Sequence, residues 1–210
     1  YGRSRGLGDV YKRQPQNRIA KVQPGVRNLA ITQAAQAYGL YYAPDPSSQI
    51  ACSIGGNVAE NAGGVHCLKY GLTVNNVLGA RVVMACGEIV ELGGALYDNP
   101  GPDLLALICG SEGMLGIVTE VTVALLPEPE TKTVLLAAFS RVVDAGSAVA
   151  AIISAGIIPA GMEMMDKMAV RAAEAFAKAG YPLDAEAILI IELDGAAAEL
   201  ATLNSQVTDL

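Results

Sequence analysis

Apolar residues along this chain alternate between two periods, and the switches mark out its elements. Residues 18–22 read as a short strand, and Pro24-Gly25 as a turn. Val26, Leu29, Ala30, Gln33, Ala34 and Ala37 fit one face of a helix, which Gly39 is placed to end. From Tyr42 the run YAPDPSSQIACSIGGNVAENAGGVHCLKY sustains neither period. It is rich in Gly, Asn, Ser and Pro and reads as a long loop, which in a compact domain is usually functional. Regular structure returns with β-rich runs at 77–85 and 88–92, joined by Cys86-Gly87 at hairpin spacing. A helix or buried segment at 103–109 and a strand at 116–126 follow.

Pro127-Glu128-Pro129-Glu130 then breaks the pattern, and a domain boundary is expected there, between segments 15–129 and 130–210. Beyond it the pattern predicts a strand at 133–139, a helix at 144–155, a strand at 157–160, a helix at 166–179, a strand at 187–193 and a helix at 197–209. Leu200, Leu203, Val207 and Leu210 form an apolar stripe on the last helix. A stripe needs a partner face, so the chain is expected to be truncated within an α+β domain.

A length of 210 residues with 52% hydrophobic residues is enough for a substantial core. A formal charge of −7 disfavours nucleic acid or an anionic membrane surface as a partner. Residues 1–14 crowd four bases around one acid with no period and no apolar run, so they are read as a non-native leader and left out of the fold. Without them 10 bases face 20 acids, a net of −10. The most apolar window, 148–165, is interrupted by Gly156, Pro159 and Gly161, so no membrane span is expected. Cys52, Cys67, Cys86 and Cys109 contain no C-x-x-C pair, and one histidine is too few for a local zinc or iron–sulfur site. They read as reduced, mostly buried thiols in a cytoplasmic protein.

Two segments carry candidate chemistry. In Ser53-Ile54-Gly55-Gly56-Asn57-Val58-Ala59-Glu60-Asn61-Ala62-Gly63-Gly64, paired glycines let backbone N–H groups approach a phosphate or flat ring, with Ser53 and Asn57 as neutral donors. The same residues read equally well as a tight irregular loop. The Rossmann G-x-G-x-x-G and the P-loop fingerprints are both absent. Gly110-Ser111-Glu112-Gly113-Met114-Leu115-Gly116-Ile117-Val118-Thr119 feeds three glycines into a strand, either to meet a base or flavin edge or as a bulge and turn. Met162, Met164, Met165 and Met168 read as core filling, and Glu192 and Asp194 as a strand exit. His66, the single histidine, is more often structural than catalytic in such a setting. Glu60 and Lys69 read as solvated or structural.

The runs PDPSSQIACSIGGNVAENAGGVHCLKYG, GSEGMLGIVTEVTVALLPEP and IIPAGMEMMDKMAVRAAEAFAKAGYPLDAEAILIIELDG resemble the vanillyl-alcohol oxidase and p-cresol methylhydroxylase type of FAD-linked oxidases. The first two runs are shared with D-lactate and D-2-hydroxyglutarate dehydrogenases, and the third resembles the glycolate oxidase flavin-subunit branch. The resemblance implies an α+β fold: the C-terminal part of a p-cresol methylhydroxylase-type FAD-binding domain, then the start of a ferredoxin-like cap. It implies that Pro44, Asp45 and Ser47 lie beside FAD, and that Ser53, Gly55, Gly56 and Asn57 approach the isoalloxazine and the ribityl–pyrophosphate region. Ala59, Gly63 and Gly64 would complete that wall, Tyr70 would pack on it, and Glu112, Gly116, Ile117 and Val118 would line the adenine or ribose end.

The implied activity is oxidation of a small 2-hydroxy acid, glycolate to glyoxylate, with hydride transfer to flavin. D-lactate or D-2-hydroxyglutarate oxidation, or a non-catalytic flavin-binding fragment, are the alternatives. The implied partners are other glycolate oxidase subunits, including an iron–sulfur subunit, which would lead electrons toward a quinone and hold the protein at the periphery of the inner membrane. The family's upstream pyrophosphate loop and its downstream histidine cluster have no counterpart in these residues, so no catalytic or metal residue is assigned.

Overall fold

The computed structural model describes residues 9–95 and 101–210, and the chain divides into two compact units, one ending at Glu128 and the next beginning at Pro129. The break lies within the Pro-Glu run that interrupts the sequence pattern.

The first unit is built on an antiparallel sheet of order β1-β2-β6-β4-β5, from strands β1 (Val10–Gln14), β2 (Ile19–Val22), β4 (Val77–Val83), β5 (Ile89–Gly93) and β6 (Ile117–Ala124). Strand β1 brings residues 10–14 into the fold, against their exclusion with the leader, because its backbone pairs with β2 from Val10↔Val22 to Gln14↔Ile19; residues 1–8 of that expected leader lie outside the described residues. An edge strand needs only main-chain partners, which apolar period does not report. The β4–β5 hairpin turns where expected, with the Gly87 N–H donating to the Met84 carbonyl at 2.8 Å.

Helix α1 (Asn28–Ala35) continues as a 3-10 turn to Tyr38 and is closed by Gly39 in the left-handed conformation. A short ladder pairs β3 (Leu40–Tyr41) with β7 (Leu126–Pro127). The buried face of α1 is Asn28, Ile31 and Ala35, a correction to the expected stripe, in which Gln33 and Ala37 are exposed. Hydrophobicity counts Asn28 as polar, but a hydrogen-bonded amide can be buried at little cost, and that turns the helix.

The long loop contains helices that the sequence pattern hides, α2 (Ile54–Glu60) and α3 (Cys67–Tyr70), and a third, α4 (Thr73–Asn76), follows it. In α2 two glycines oppose helix formation by about 0.5–1 kcal/mol each. Burying Ile54 and Val58, both at 0% exposure, returns about 1.5–3 kcal/mol each, so packing wins. The Ser53 side chain caps α2 by accepting the Gly56 N–H at 3.3 Å. Helix α5 (Leu104–Ile108) is likewise capped by Asp103, which accepts the Ala106 N–H at 2.9 Å. The core of this unit gathers Val22, Ile31, Ile54, Val58, Val82, Val121 and Val123.

The second unit is a three-stranded antiparallel sheet of order β8-β10-β9 with helices α6 (Val142–Ser154), α7 (Lys167–Ala177) and α8 (Ala197–Asp209). Its strands are β8 (Thr131–Phe139), β9 (Gly161–Asp166) and β10 (Ala187–Gly195). Residues 157–160, expected as a strand, form an irregular lead-in instead, with Ile157 and Ala160 buried and Ile158 exposed, and pairing begins where the Ala160 N–H donates to the Glu192 carbonyl at 2.8 Å. Pro159 has no N–H to give to a ladder. The methionines split: Met162 and Met165 pack against core clusters, while Met164 and Met168 are exposed, which corrects the core-filling reading of the full stripe. Glu192 pairs with Lys132 at 2.9 Å, and Asp194 is buried at the strand end. Both units are mixtures of helix and antiparallel sheet, an α+β architecture.

Candidate functional site

The two glycine-rich motifs, about fifty residues apart in sequence, meet in the first unit. Main-chain bonds join them: the Gly110 N–H donates to the Val58 carbonyl at 2.8 Å and the Glu112 N–H to the Ala59 carbonyl at 2.9 Å. These bonds occupy carbonyls near the C-terminal end of α2, where the helix runs out of its own donors; the Val58 carbonyl also accepts the Asn61 N–H at 3.3 Å. The Pro24-Gly25 turn docks on the other side, where the Gly55 N–H donates to the Pro24 carbonyl and the Ile54 N–H to the Val26 carbonyl, both at 2.8 Å.

A cavity of about 430 Å³ opens between these segments, within the roughly 300–1,000 Å³ typical of ligand sites. Its walls are Ser53, Gly55, Gly56 and Ala59 from the α2 segment, and Ser111, Gly113, Gly116, Ile117 and Val118 from the second motif, completed by Pro24, Gly25 and Ile108. No side chain in this lining carries a charge. It offers apolar surface, glycine backbone and the hydroxyls of Ser53 and Ser111. A flat, largely uncharged ring system is what such a wall can hold.

Two kinds of glycine build it. At Gly55 an added Cβ would lie 2.7 Å from Pro24 Cβ and 3.0 Å from the Pro24 carbonyl oxygen, so packing alone demands glycine. At Gly113 a Cβ would meet nothing within 4 Å, and at Gly56 only Ser53 Oγ at 3.4 Å. Space beside these two is left open by the protein, as a ligand cradle requires, and the residues present fit a flavin nucleotide.

Of the residues expected at a cofactor, Ser53, Gly55, Gly56, Ala59, Gly116, Ile117 and Val118 line this cavity. The others do not. Asn57 is buried, with its amide within 3.5 Å of Cys52 Sγ. Glu112 lies in the second glycine loop, its N–H committed to Ala59. Pro44, Asp45, Gly63 and Gly64 belong to a neighbouring cluster, and Ser47 is exposed on the loop that carries it. There Asp45 Oδ2 lies 2.6 Å from His66 Nδ1, and Asp45 Oδ1 accepts the His66 N–H at 3.3 Å. A Cβ on Gly64 would fall within 2.5 Å of the Asp45 carbonyl group, so this clamp also needs glycine. Tyr70 sits edge-on to Tyr41, with ring centroids 6.2 Å apart, and Lys69 lies over it.

Pro24, Gly25, Ile108, Ser111 and Gly113 are the lining residues that sequence reasoning did not choose. Ser111 and Gly113 were within a recognised motif, but Pro24-Gly25 carries only a turn signal and is brought in by long-range main-chain bonds. The cysteines are buried only at Cys109, against the expectation that most of them are. Burial pushes the Cys109 thiol up to about 11 and raises the Tyr42 hydroxyl as well, so both are protonated at neutral pH. Among the described residues no group of three His, Cys, Asp or Glu side chains is placed to hold a metal ion, and no helix is long and apolar enough to cross a membrane.

Family models match both units: an FAD binding domain over residues 4–93, and the C-terminal domain of FAD linked oxidases over residues 128–210. Glycolate oxidase subunit GlcD of Escherichia coli (strain K12) is 63% identical over 196 residues, covering 93% of this chain and 39% of that protein. D-lactate dehydrogenase of Anaerostipes hadrus is 37% identical over 187 residues, covering 86% of this chain and 39% of the relative. The chain therefore spans about two fifths of the length of these relatives. Among solved structures, an alkyldihydroxyacetonephosphate synthase superposes with a TM-score of 0.83 over 97% of this chain and 39% of its own, at 22% identity, a likeness of fold. With both models in chain order and FAD as the cofactor of the first, the chain belongs to the FAD-linked oxidases.

Proposed function

We propose that this chain forms part of the FAD site of an enzyme that oxidises a small 2-hydroxy acid, glycolate to glyoxylate. In that reaction the Cα–H bond breaks as a hydride, the hydroxyl proton passes to a base, and the hydroxyl carbon becomes a carbonyl. FAD, when bound, supplies the two-electron acceptor. The observation that carries the reading is the uncharged, glycine-walled cavity formed by both motifs. Gly56 and Gly113 leave room for the ring system, Ser53 and Ser111 offer hydroxyl groups to its polar atoms, and Ile108, Ile117 and Val118 offer apolar surface to its faces. Pro44, Asp45, Asn57, Gly64 and Glu112 act one layer further out, through their contacts with Asn28, His66, Cys52, Asp45 and Ala59.

The name of the 63%-identical relative, a glycolate oxidase subunit, supports glycolate as substrate and a multi-subunit assembly; that one of those subunits is an iron–sulfur protein taking the electrons is part of the proposal. The D-lactate dehydrogenase relative supports D-lactate as the rival substrate. A cytoplasmic location, with attachment at the membrane through partners, is part of the proposal; the acidic balance of the chain disfavours its own direct contact with an anionic membrane surface. Titrating FAD with the purified chain should quench flavin fluorescence to saturation, and unchanged fluorescence at high protein concentration would refute the cofactor site. In the longer protein, faster dye reduction with glycolate than with D-lactate is expected, and the reverse order would overturn the substrate.

A further inference from the structure

One residue outside every recognised motif holds both ends of the loop that leads into the cavity. Asn28, the first residue of α1, is 1% exposed. Its side-chain amide donates to the Pro44 carbonyl at 2.9 Å, and its backbone N–H donates to the Cys52 carbonyl at 3.0 Å. The next N–H, of Leu29, donates to the Gln49 carbonyl at 3.1 Å. The loop from Pro44 to Cys52 is thus closed on a single point of the helix. One turn later Thr32 continues the fastening: its hydroxyl accepts the Tyr42 N–H at 3.1 Å and donates to the Tyr42 carbonyl at 3.4 Å. Residues four apart share a helix face, so Asn28 and Thr32 form one polar stripe facing one stretch of chain.

What lies at the two ends of that loop gives the stripe its meaning. Beyond Cys52 comes Ser53, which caps α2 and lines the cavity. Beyond Pro44 comes Asp45, which clamps His66 and backs onto Gly64. Loop residues carry few apolar anchors of their own; Ile50 is 67% exposed. Its position is therefore set by hydrogen bonds rather than by packing.

We propose that Asn28, assisted by Thr32, is a positioning residue for the flavin wall: it touches no ligand, and it fixes the loop whose ends present Ser53 and Asp45. This rests on the FAD reading above. An apolar residue at position 28 would suit the buried face equally well, but would leave the Pro44 carbonyl without its donor.

The test uses the full chain and two readouts. FAD affinity is measured by flavin fluorescence quenching, and amide hydrogen exchange is followed across 44–53. Asn28→Asp keeps the shape and removes the donor. It should weaken FAD binding about tenfold and speed exchange in 44–53, while exchange in β4 and β6 stays slow. Val123→Ala, a core truncation outside the loop and the cavity lining, should lower Tm yet leave FAD affinity within twofold. If Asn28→Asp does not fold, Thr32→Val tests the same stripe with a smaller loss, and Thr32→Ser should restore parental affinity. FAD affinity and loop exchange unchanged in a folded Asn28→Asp or Thr32→Val, or an equal affinity loss in Val123→Ala, would overturn the proposal. Should the unsubstituted chain bind no FAD, the cofactor reading fails, and the exchange data alone then decide whether Asn28 fixes the loop.

Discussion

Adjacent glycines in one motif invite the same explanation, yet Gly55 and Gly56 should respond to alanine with opposite signs. A Cβ at Gly55 would stand 2.7 Å from Pro24 Cβ and 3.0 Å from the Pro24 carbonyl oxygen. Carbon atoms pack best at about 3.5–4.0 Å, so α2 or the Pro24-Gly25 turn must retreat by roughly 1 Å. The retreat strains the 2.8 Å bond from the Gly55 N–H to the Pro24 carbonyl. Overpacking of this kind costs about 1–3 kcal/mol, and at roughly 4 °C per kcal/mol for a unit of this size the Tm should fall by about 8 °C for a 2 kcal/mol loss. At Gly56 the nearest atom is Ser53 Oγ at 3.4 Å, an ordinary contact. There the helix should gain about 0.5–1 kcal/mol from lost unfolded-state freedom. Its methyl group, however, enters the cavity wall, so Gly56→Ala should weaken FAD binding while raising Tm. Thermal melts of both variants, with fluorescence titration of FAD, check the pair. A Gly55→Ala protein as stable as its parent would refute the packing argument, and a Gly56→Ala protein with undiminished FAD affinity would refute the cradle.

Three further outcomes are expected. Gly146 is exposed in the middle of α6, and a Cβ there meets nothing within 4 Å, so Gly146→Ala should stabilise the second unit by about 0.5–1 kcal/mol in denaturant melts without changing FAD affinity. Burial raises Cys109 to about 11 from an ordinary 9.0, so the folded form holds its proton longer than the unfolded form. Stability should then be unaffected below the ordinary value and fall as pH rises through that window, and Cys109→Ala should soften the fall in melts run across it. The exposed Cys86 thiol at the hairpin tip should alkylate well before Cys109 in native protein.

Local pattern carried much of this fold because its determinants are local. The Cys86-Gly87 hairpin and helices α6 to α8 each announce themselves within a few residues. The two glycine motifs were legible as candidate sites for the same reason: glycine pairs mark close approach wherever they occur.

Other features depend on partners distant in sequence. Helix α2 forms through a glycine pair because Ile54 and Val58 find a core to fill, and α1 turns a polar residue inward because the Pro44 carbonyl waits there for the Asn28 amide. Strand β1 exists only as the complement of β2, and Met164 and Met168 are exposed although their spacing matches a buried stripe. By itself the sequence determined the longer strands and helices and marked the two glycine-rich segments, since those follow from backbone freedom and the period of apolar side chains. Only the tertiary structure decided that Pro24-Gly25, α2 and the Ser111–Gly113 turn enclose one cavity, because long-range main-chain bonds leave no trace in the side chains they join.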